Sequence, residues 1–326
     1  MSERGEVLMQ VNHLDIDYLT PEKTRLSAVR DISFELKSGR MLGLVGESGC
    51  GKTTLALAVM RLLPVAGRIV GGEIIFRGRD LLALTEAEME RVRWQEIAIV
   101  FQGAMNALNP VLTVGRQIAE AIRVHNPQVT PAETQAHVAE LMDLVGIAPE
   151  RANQYPFQFS GGMRQRVMIA MALACSPCVL IADEPTTALD VMIQAQILEL
   201  LESLRDQLGL AVILVTHDLG VVAELCDDVL VMYAGVTAEY APVDRLYNHP
   251  AHPYTQSLLA AFPNLANLAD RLSSIPGYPP RLDDLPTGCR FAPRCPQAFE
   301  RCWQSQPSLY RVERGHSASC FLLEGR

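Results

Sequence analysis

Gly46-Glu47-Ser48-Gly49-Cys50-Gly51-Lys52-Thr53 satisfies the pattern G-x-x-x-x-G-K-[ST] at every fixed position. The residues ahead of it, Met41-Leu42-Gly43-Leu44-Val45, form a short apolar run that suits a buried parallel strand. Behind it, Thr54 to Leu63 contains no Gly or Pro and reads as a helix. Strand, glycine-rich loop and helix together make a phosphate cradle. The glycines let the backbone turn tightly and bring its N–H groups up to phosphate oxygens. The helix N-terminus adds partial positive charge. In such a cradle Lys52 reaches the β- and γ-phosphates and Thr53 holds Mg²⁺.

Working outward, the 326 residues are enough for about two domains. A 49% apolar composition supports a large core. The net charge of −9 and a pI of about 5.3 argue against broad binding to a nucleic-acid backbone. No apolar run approaches the ~18 residues of a membrane span; Val167 to Cys175 comes nearest and stops at Ser176-Pro177. The N-terminus, Met-Ser-Glu-Arg-Gly-Glu, lacks the apolar core of a signal peptide, so a cytoplasmic location is expected. The eight cysteines are then expected as thiols, metal ligands or cluster ligands. There is no internal repeat and no low-complexity segment.

Ahead of the loop, Leu8 to Tyr18 and Val29 to Leu36 read as strands, the first ending in an aromatic. Beyond it, Gly72 to Arg77 reads as a strand. Thr85 and Glu88 have capping-box spacing for a helix opening at Leu84, which can staple to Met89. Ile97 to Phe101 is a buried strand ending at Gln102. Residues 103–174 then turn mostly helical, with breaks at Asn109-Pro110, Asn126-Pro127 and Tyr155-Pro156, as an insertion into an α/β core. Strands return at Cys178 to Ala182 and Leu210 to Val215 around a helix from Met192 to Leu208, implying parallel pairing. After His252-Pro253-Tyr254-Thr255 comes a Pro-rich, Cys-bearing tail.

Asp183-Glu184 closes the apolar run Cys178 to Ala182. At the C-terminal edge of a parallel sheet such groups face a ligand crevice. Asp183 suits Mg²⁺, and Glu184 suits polarising a water that attacks the γ-phosphate. On their own, two acids at a strand end are solvated side chains; beside a phosphate loop they acquire this second role. Ser160-Gly161-Gly162 opens a helix, with Ser as N-cap and the glycines baring its amides.

Phosphate loop, Gln102, Ser160-Gly161-Gly162, Asp183-Glu184, Ala188-Leu189-Asp190 and His217 occur in the order of an ABC-transporter ATPase. The chain resembles that family from about residue 8 to residue 326. The resemblance implies an α/β fold: an ABC-type nucleotide-binding domain with a P-loop parallel-sheet core, an antiparallel β-subdomain and a helical subdomain, plus a small C-terminal Cys-rich extension. The expected division is 1–250 for the ATPase domain, with the helical subdomain at about 103–174, and 251–326 for the extension. A sandwich dimer is implied, with ATP between the phosphate loop of one subunit and the Ser-Gly-Gly helix of the other. Tyr18 resembles the aromatic that stacks on adenine, and Gly46, Glu47, Ser48, Gly49, Cys50, Gly51, Lys52, Thr53 and Thr54 the ATP-binding segment. Gln102 resembles the residue that touches Mg²⁺ and water, beside Thr53 and Asp183. His217 resembles the switch histidine on the γ-phosphate; the alternative is a satisfied strand-end histidine. Ser160, Gly161, Gly162, Met163 and Asp190 resemble the contacts made in trans. The signature departs from the commonest pattern at Met163, where Gln is usual; Ser hydroxyl and backbone contacts survive that change.

Phe159 to Ala174, His252-Pro253-Tyr254-Thr255 and Gly288-Cys289…Pro293-Arg294-Cys295-Pro296 are similar to the dipeptide/oligopeptide (and nickel) importer ATPases. This implies two integral-membrane permeases, a second and different ABC ATPase subunit, an extracytoplasmic solute-binding protein, and a place on the cytoplasmic face of the membrane. Nickel chelates or oligosaccharides are alternative solutes. A non-transport ABC ATPase is disfavoured by the lack of a second cassette or basic stretch, and an exporter by the import-type tail. Cys175 and Cys178 read as core packing, Cys226 likewise, and Cys50 occupies a variable loop position.

Cys289, Cys295, Cys302 and Cys320 are spaced C-x5-C-x6-C-x17-C in a segment too poor in periodic apolar residues to build much core alone. Four thiolates suit tetrahedral zinc or an iron–sulfur cluster. The tail contains no C-x2-4-C pair, which leans away from zinc, and the resemblance implies a 4Fe-4S cluster; free cysteines remain the third possibility.

Overall fold

The structure is a computed structural model that describes residues 5–103, 107–261 and 275–325. Residues 104–106 of the expected helical insertion and 262–274 of the expected extension lie outside the described residues. In chain order the elements are β1 (Val7–Leu19), β2 (Arg25–Lys37), β3 (Met41–Val45), α1 (Lys52–Val59), β4 (Gly67–Phe76), β5 (Arg79–Asp80), α2 (Glu86–Val92), β6 (Ile97–Val100), α3 (Val114–His125), α4 (Pro131–Leu144), α5 (Gly161–Ala172), β7 (Val179–Asp183), α6 (Val191–Leu208), β8 (Ala211–Val215), α7 (Leu219–Leu225), β9 (Asp228–Tyr233), β10 (Val236–Pro242), α8 (Val243–Asn248), α9 (Pro253–Ala260), α10 (Glu300–Gln304), β11 (Tyr310–Glu313) and β12 (His316–Ala318). They fall into two compact units.

One unit takes Lys37–Arg40 and Ala83–Val215. Its centre is three parallel strands, with Ile97 opposite Val179 and Val179 opposite Ala211. β7 and β8 are buried along their whole length, which explains their unbroken apolar runs and confirms the parallel pairing expected around α6. The capping box at Thr85 and Glu88 is formed, and Met89 is fully buried. A second box, Thr130 with Glu133, starts α4 behind Pro131. The insertion is helical as expected: α3 ends at Asn126, and Tyr155 precedes a short 3₁₀ turn.

The other unit takes Val7–Leu36, Met41–Leu82 and the chain from Thr216 onward. Here β2, β1, β4 and β5 form an antiparallel sheet, with β1 and β4 paired from Met9–Phe76 to Tyr18–Gly67. β1 matches the expected strand to within one residue at each end, whereas β4 begins at Gly67, ahead of the expected Gly72. β3 runs parallel to β9, and β9 continues antiparallel into β10, β12 and β11. Helix α1 is shorter than expected. It stops at Val59, and Arg61 beyond it takes a left-handed backbone (φ 50°) that a right-handed helix cannot include.

The C-terminal residues obtain their stability from this unit. β12 adds to the edge of β10, with Glu239 opposite Ala318. Ala292, Cys302 and Phe321 make a small core of their own, while Tyr233, Tyr254 and Phe291 stack into one buried aromatic group at centroid distances of 4.6–5.3 Å. The Glu239 carboxylate, wholly buried, accepts the backbone N–H groups of Ala251 (2.8 Å) and His252 (2.9 Å) and pairs with His316 Nε2 (2.7 Å). A buried carboxylate persists only with such a full set of donors.

His252 caps α9 by accepting the Tyr254 N–H on Nδ1 (2.9 Å), so its ring is neutral. Burial pushes its pKa from 6.5 down to about 4, against the opposing pull of Glu239. An unfolded chain therefore binds this proton at higher pH than the folded one. The stability carried by the neutral ring is complete above pH 6.5 and drains away between pH 6.5 and about 4; the gap corresponds to about 3 kcal/mol. Urea midpoints should fall through that window, and fall less steeply in His252→Asn, which keeps a capping oxygen. Equal slopes in the two proteins would contradict this account.

Candidate functional site

In the second unit the glycine-rich loop leaves β3 at a point where only glycine fits. Gly46 has φ 147°, and a Cβ there would stand 2.2 Å from the Met232 carbonyl oxygen and 2.7 Å from Cys50 Sγ. The loop closes on itself through Cys50 N–H to Glu47 O (3.2 Å) and hands over to α1 at Gly51. The Lys52 ammonium is buried inside this turn. It donates to Gly46 O (2.7 Å) and Glu47 O (3.2 Å) and approaches Cys50 Sγ at 3.8 Å. Burial raises the Cys50 thiol, with Lys52 pulling the other way, so it is protonated and unreactive as it stands. Ser48, Gly49 and Thr53 face solvent. Tyr18 is tied to the first turn of α1 by its hydroxyl, 3.2 Å from Thr54 Oγ1. His217 is exposed, next to the Asp218 cap of α7.

Glu47 is held from three sides. Its N–H donates to the Tyr254 hydroxyl (3.0 Å), its carbonyl accepts from Lys52, and its carboxylate takes a two-point ion pair from Arg294 (2.5 and 2.9 Å). Neither Tyr254 nor Arg294 was marked by sequence reasoning as part of this loop. Both lie in segments that stand out, His252-Pro253-Tyr254-Thr255 and Pro293-Arg294-Cys295-Pro296. A separation of 207 and 247 residues from Glu47 leaves no local signal of contact.

The first unit carries Gln102, Ser160, Gly161, Gly162, Met163, Asp183, Glu184 and Asp190. Asp183 is buried at the end of β7. Glu184 follows in a left-handed backbone (φ 46°), a strained conformation held by its N–H to Val215 O (2.9 Å). The Glu184 carboxylate accepts from Gln102 Nε2 (2.7 Å) and Thr187 Oγ1 (2.9 Å). Gln102 and Glu184 are thus brought together across 82 residues; Thr187 is an addition that its position between Glu184 and Asp190 could have suggested.

Ser160 caps α5 by accepting the Met163 N–H (3.3 Å). Gly162 is small because Ile193 of α6 lies against it, and a Cβ would come within 2.4 Å of Ile193 Cγ2. Asp190 in turn caps α6 through the Ile193 N–H (3.0 Å). Met163 Sδ receives Arg151 at 3.2 Å, and Arg151 also stacks over Phe159 at 4.6 Å.

Of the four tail cysteines, Cys289, Cys295, Cys302 and Cys320, none is in a disulfide, and Cys302 and Cys289 sit in the small core of the C-terminal residues. Burial raises Cys289 to about 11 and also raises Cys295. Cys302 and Cys295 add to the first, and Cys320 and Cys302 to the second. Among the described residues no group of three or more His, Cys, Asp or Glu side chains is gathered tightly enough for a single metal ion. Cys175 and Cys178, both partly buried, direct their thiols at the carbonyls of Ala121 (3.7 Å) and Glu96 (3.4 Å).

Two family profiles match the chain: "ABC transporter" over residues 29–187 and "Oligopeptide/dipeptide transporter, C-terminal region" over 238–302. A probable peptide ABC transporter ATP-binding protein of Sinorhizobium fredii is 51% identical, covering 98% of this chain and 96% of the relative. The oligopeptide transport ATP-binding protein OppD of Salmonella typhimurium is 47% identical, covering 97% and 94%. Among solved structures, the dimeric ATP-binding cassette MJ0796 bound to ADP and Pi superposes with a TM-score of 0.64 at 27% identity, over 72% of this chain and 98% of that one. Loop, capped Ser-Gly-Gly helix, oriented strand-end glutamate and C-terminal region therefore have one explanation: the chain belongs to the ABC-transporter ATP-binding proteins, in the branch that carries the oligopeptide/dipeptide transporter C-terminal region.

Proposed function

We propose that this chain is one of two ATPase subunits of a peptide importer. It hydrolyses ATP at an interface with a second, different ABC ATPase and drives two integral-membrane permeases supplied by an extracytoplasmic solute-binding protein. The observation that carries the peptide reading is the second matched region, 238–302, following the ATPase region in the same chain. The OppD relative is named as an oligopeptide transport protein, which supports dipeptides or oligopeptides as cargo. Among the described residues no helix is long and apolar enough to cross a membrane, so attachment to the cytoplasmic face comes through the permeases. The ATPase domain is assigned to residues 1–250, its helical part to about 103–174, and the extension to 251–326.

Each site residue has a role that its chemistry supports. Lys52, now bonded to two loop carbonyls, exchanges them for the β- and γ-phosphates. Within Gly46 to Thr54 the backbone amides cradle phosphate oxygens, apart from those of Glu47 and Cys50, which are engaged by the Tyr254 hydroxyl and the Glu47 carbonyl, and Tyr18 stacks on adenine. Thr53, Gln102 and Asp183 are the oxygen donors suited to Mg²⁺, whose charge neutralises the phosphates when bound. Glu184 polarises the attacking water, with Gln102 and Thr187 aiming its carboxylate. His217 reads the γ-phosphate. Ser160, Gly161, Gly162 and Met163 complete the site of the partner subunit, and Asp190 fixes the helix packed beneath them.

The four tail cysteines are assigned to a 4Fe-4S cluster with a structural or redox-sensing role. Four cysteines of one segment, none in a disulfide and with Cys302 acting on both Cys289 and Cys295, offer the thiolate set that such a cluster takes. Holding such a group would require the thiols as thiolates, their protons passing to solvent.

Replacing Lys52 by Ala should weaken MgATP binding by about a hundredfold or more, because a buried charge-assisted contact is lost. Glu184→Gln should bind ATP normally and turn over about 10²–10³-fold more slowly. Near-wild-type turnover of Glu184→Gln in the assembled transporter would remove Glu184 from its role. The isolated chain should be a poor ATPase, stimulated by the second ATPase and permeases and further by binding protein with peptide; strong activity without partners would count against a shared site. For the tail, anaerobic purification should yield iron with acid-labile sulfide, lost in Cys295→Ser. Stoichiometric zinc without iron, or a metal-free protein with normal folding and transport, would sink the cluster.

A further inference from the structure

The C-terminal residues do more than attach to the edge of the sheet. Arg294 is almost fully buried, with 5% of its side chain exposed, and spends four contacts around the phosphate loop. Two go to the Glu47 carboxylate (2.5 and 2.9 Å), one to the Tyr233 hydroxyl (3.2 Å) and one to the Pro276 carbonyl (2.8 Å). Arg290, four residues earlier, donates to the Ala234 carbonyl and to Ser27 Oγ (3.3 Å); the neighbouring Gly235 N–H donates to Cys50 O (2.9 Å). The tail thus grips the loop at Glu47 directly and at Cys50 through the β9–β10 turn.

Glu47 is an awkward residue for an anion cradle. A carboxylate on a loop built to receive a triphosphate repels that ligand unless its charge is neutralised. Arg294 supplies the neutralisation in the planar two-point geometry that only a guanidinium offers. It also fixes the peptide of Glu47, whose N–H and carbonyl are already engaged by Tyr254 and Lys52.

We propose that Arg294 is a positioning residue for the phosphate loop: by pairing with Glu47 it holds the loop ready and cancels a charge that otherwise repels ATP, so nucleotide affinity depends on the docked C-terminal region. The proposal rests on the assignment of residues 46–53 to the triphosphate. Its test separates the two.

MgATP and MgADP affinities are measured by calorimetry on the full chain, and KM and kcat on the assembled transporter. Arg294→Gln should weaken MgATP about tenfold and MgADP less, since ADP carries less charge. KM for ATP should rise accordingly while kcat changes much less. Adding Glu47→Gln to Arg294→Gln should restore most of the lost affinity, because the repelling carboxylate is gone. A merely structural arginine would give no such rescue. Arg294→Lys, which keeps the charge and loses the two-point geometry, should fall between wild type and Arg294→Gln. Wild-type MgATP affinity in Arg294→Gln overturns the proposal, as does a double variant no better than the single one. Should Arg294→Gln fail to fold, unchanged affinity in Arg294→Lys overturns it. Loss of binding in Lys52→Ala with no effect at Arg294 rejects this inference alone; ATP binding retained in Lys52→Ala rejects the loop assignment itself.

Discussion

The Met232 carbonyl stands 2.2 Å from where a Cβ on Gly46 would be, and the path of the phosphate loop follows from that approach. β3 and β9 run in parallel register as far as Val45 and Val231, so the next residues of both strands arrive side by side. With no side chain at Gly46 the chain can turn away at φ 147°, and the following residues fold over the end of β3. The β9–β10 turn then anchors the far side of the loop through the Gly235 N–H on Cys50 O. A cradle of this kind is made by packing against a neighbouring strand as much as by its own glycines.

Charge is handled by the same economy of partners. Lys52 is buried yet satisfied by two loop carbonyls, Glu47 is met by Arg294, and Glu239 by His316 and two backbone amides. Each of these groups costs free energy to bury unless its partners are in place. Their pairing leaves the loop preorganised, with Lys52 close to where phosphates are expected and in need only of exchanging one set of oxygens for another.

In the first unit the controlling contact is Ile193 on Gly162, which sets how closely α6 approaches the Ser160-capped helix. Asp190 caps the same α6, so the strained stretch from Glu184 to Asp190 is fixed at both ends: by the Glu184 N–H on Val215 O and by the cap on Ile193. Gln102 and Thr187 then leave the Glu184 carboxylate little choice of direction. A strained backbone at such a point is consistent with a site in which aim matters more than local stability.

Short-range signals carried much of this protein. Glycine spacing in 46–51, the Thr85–Glu88 box, the apolar runs of β3, β7 and β8 and the helical insertion were all legible, because each arises from conformational preference or burial over a few residues. The candidate residues Lys52, Ser160, Asp183 and Glu184 were legible as spaced motifs, and Gln102 and His217 through the family resemblance. Pairings across long stretches of chain were not. Arg294 meets Glu47 across 247 residues, and His316 meets Glu239 across 77. The strand β12 has three residues and exists only because β10 offers an edge. The tail looked too poor in apolar residues to stand alone, and the structure supplies the reason it need not: its buried rings, arginines and histidine complete a surface already formed by β9, β10 and α9. Local sequence states what a segment prefers; which distant segment satisfies its buried charges and rings is decided only when the fold brings the two together.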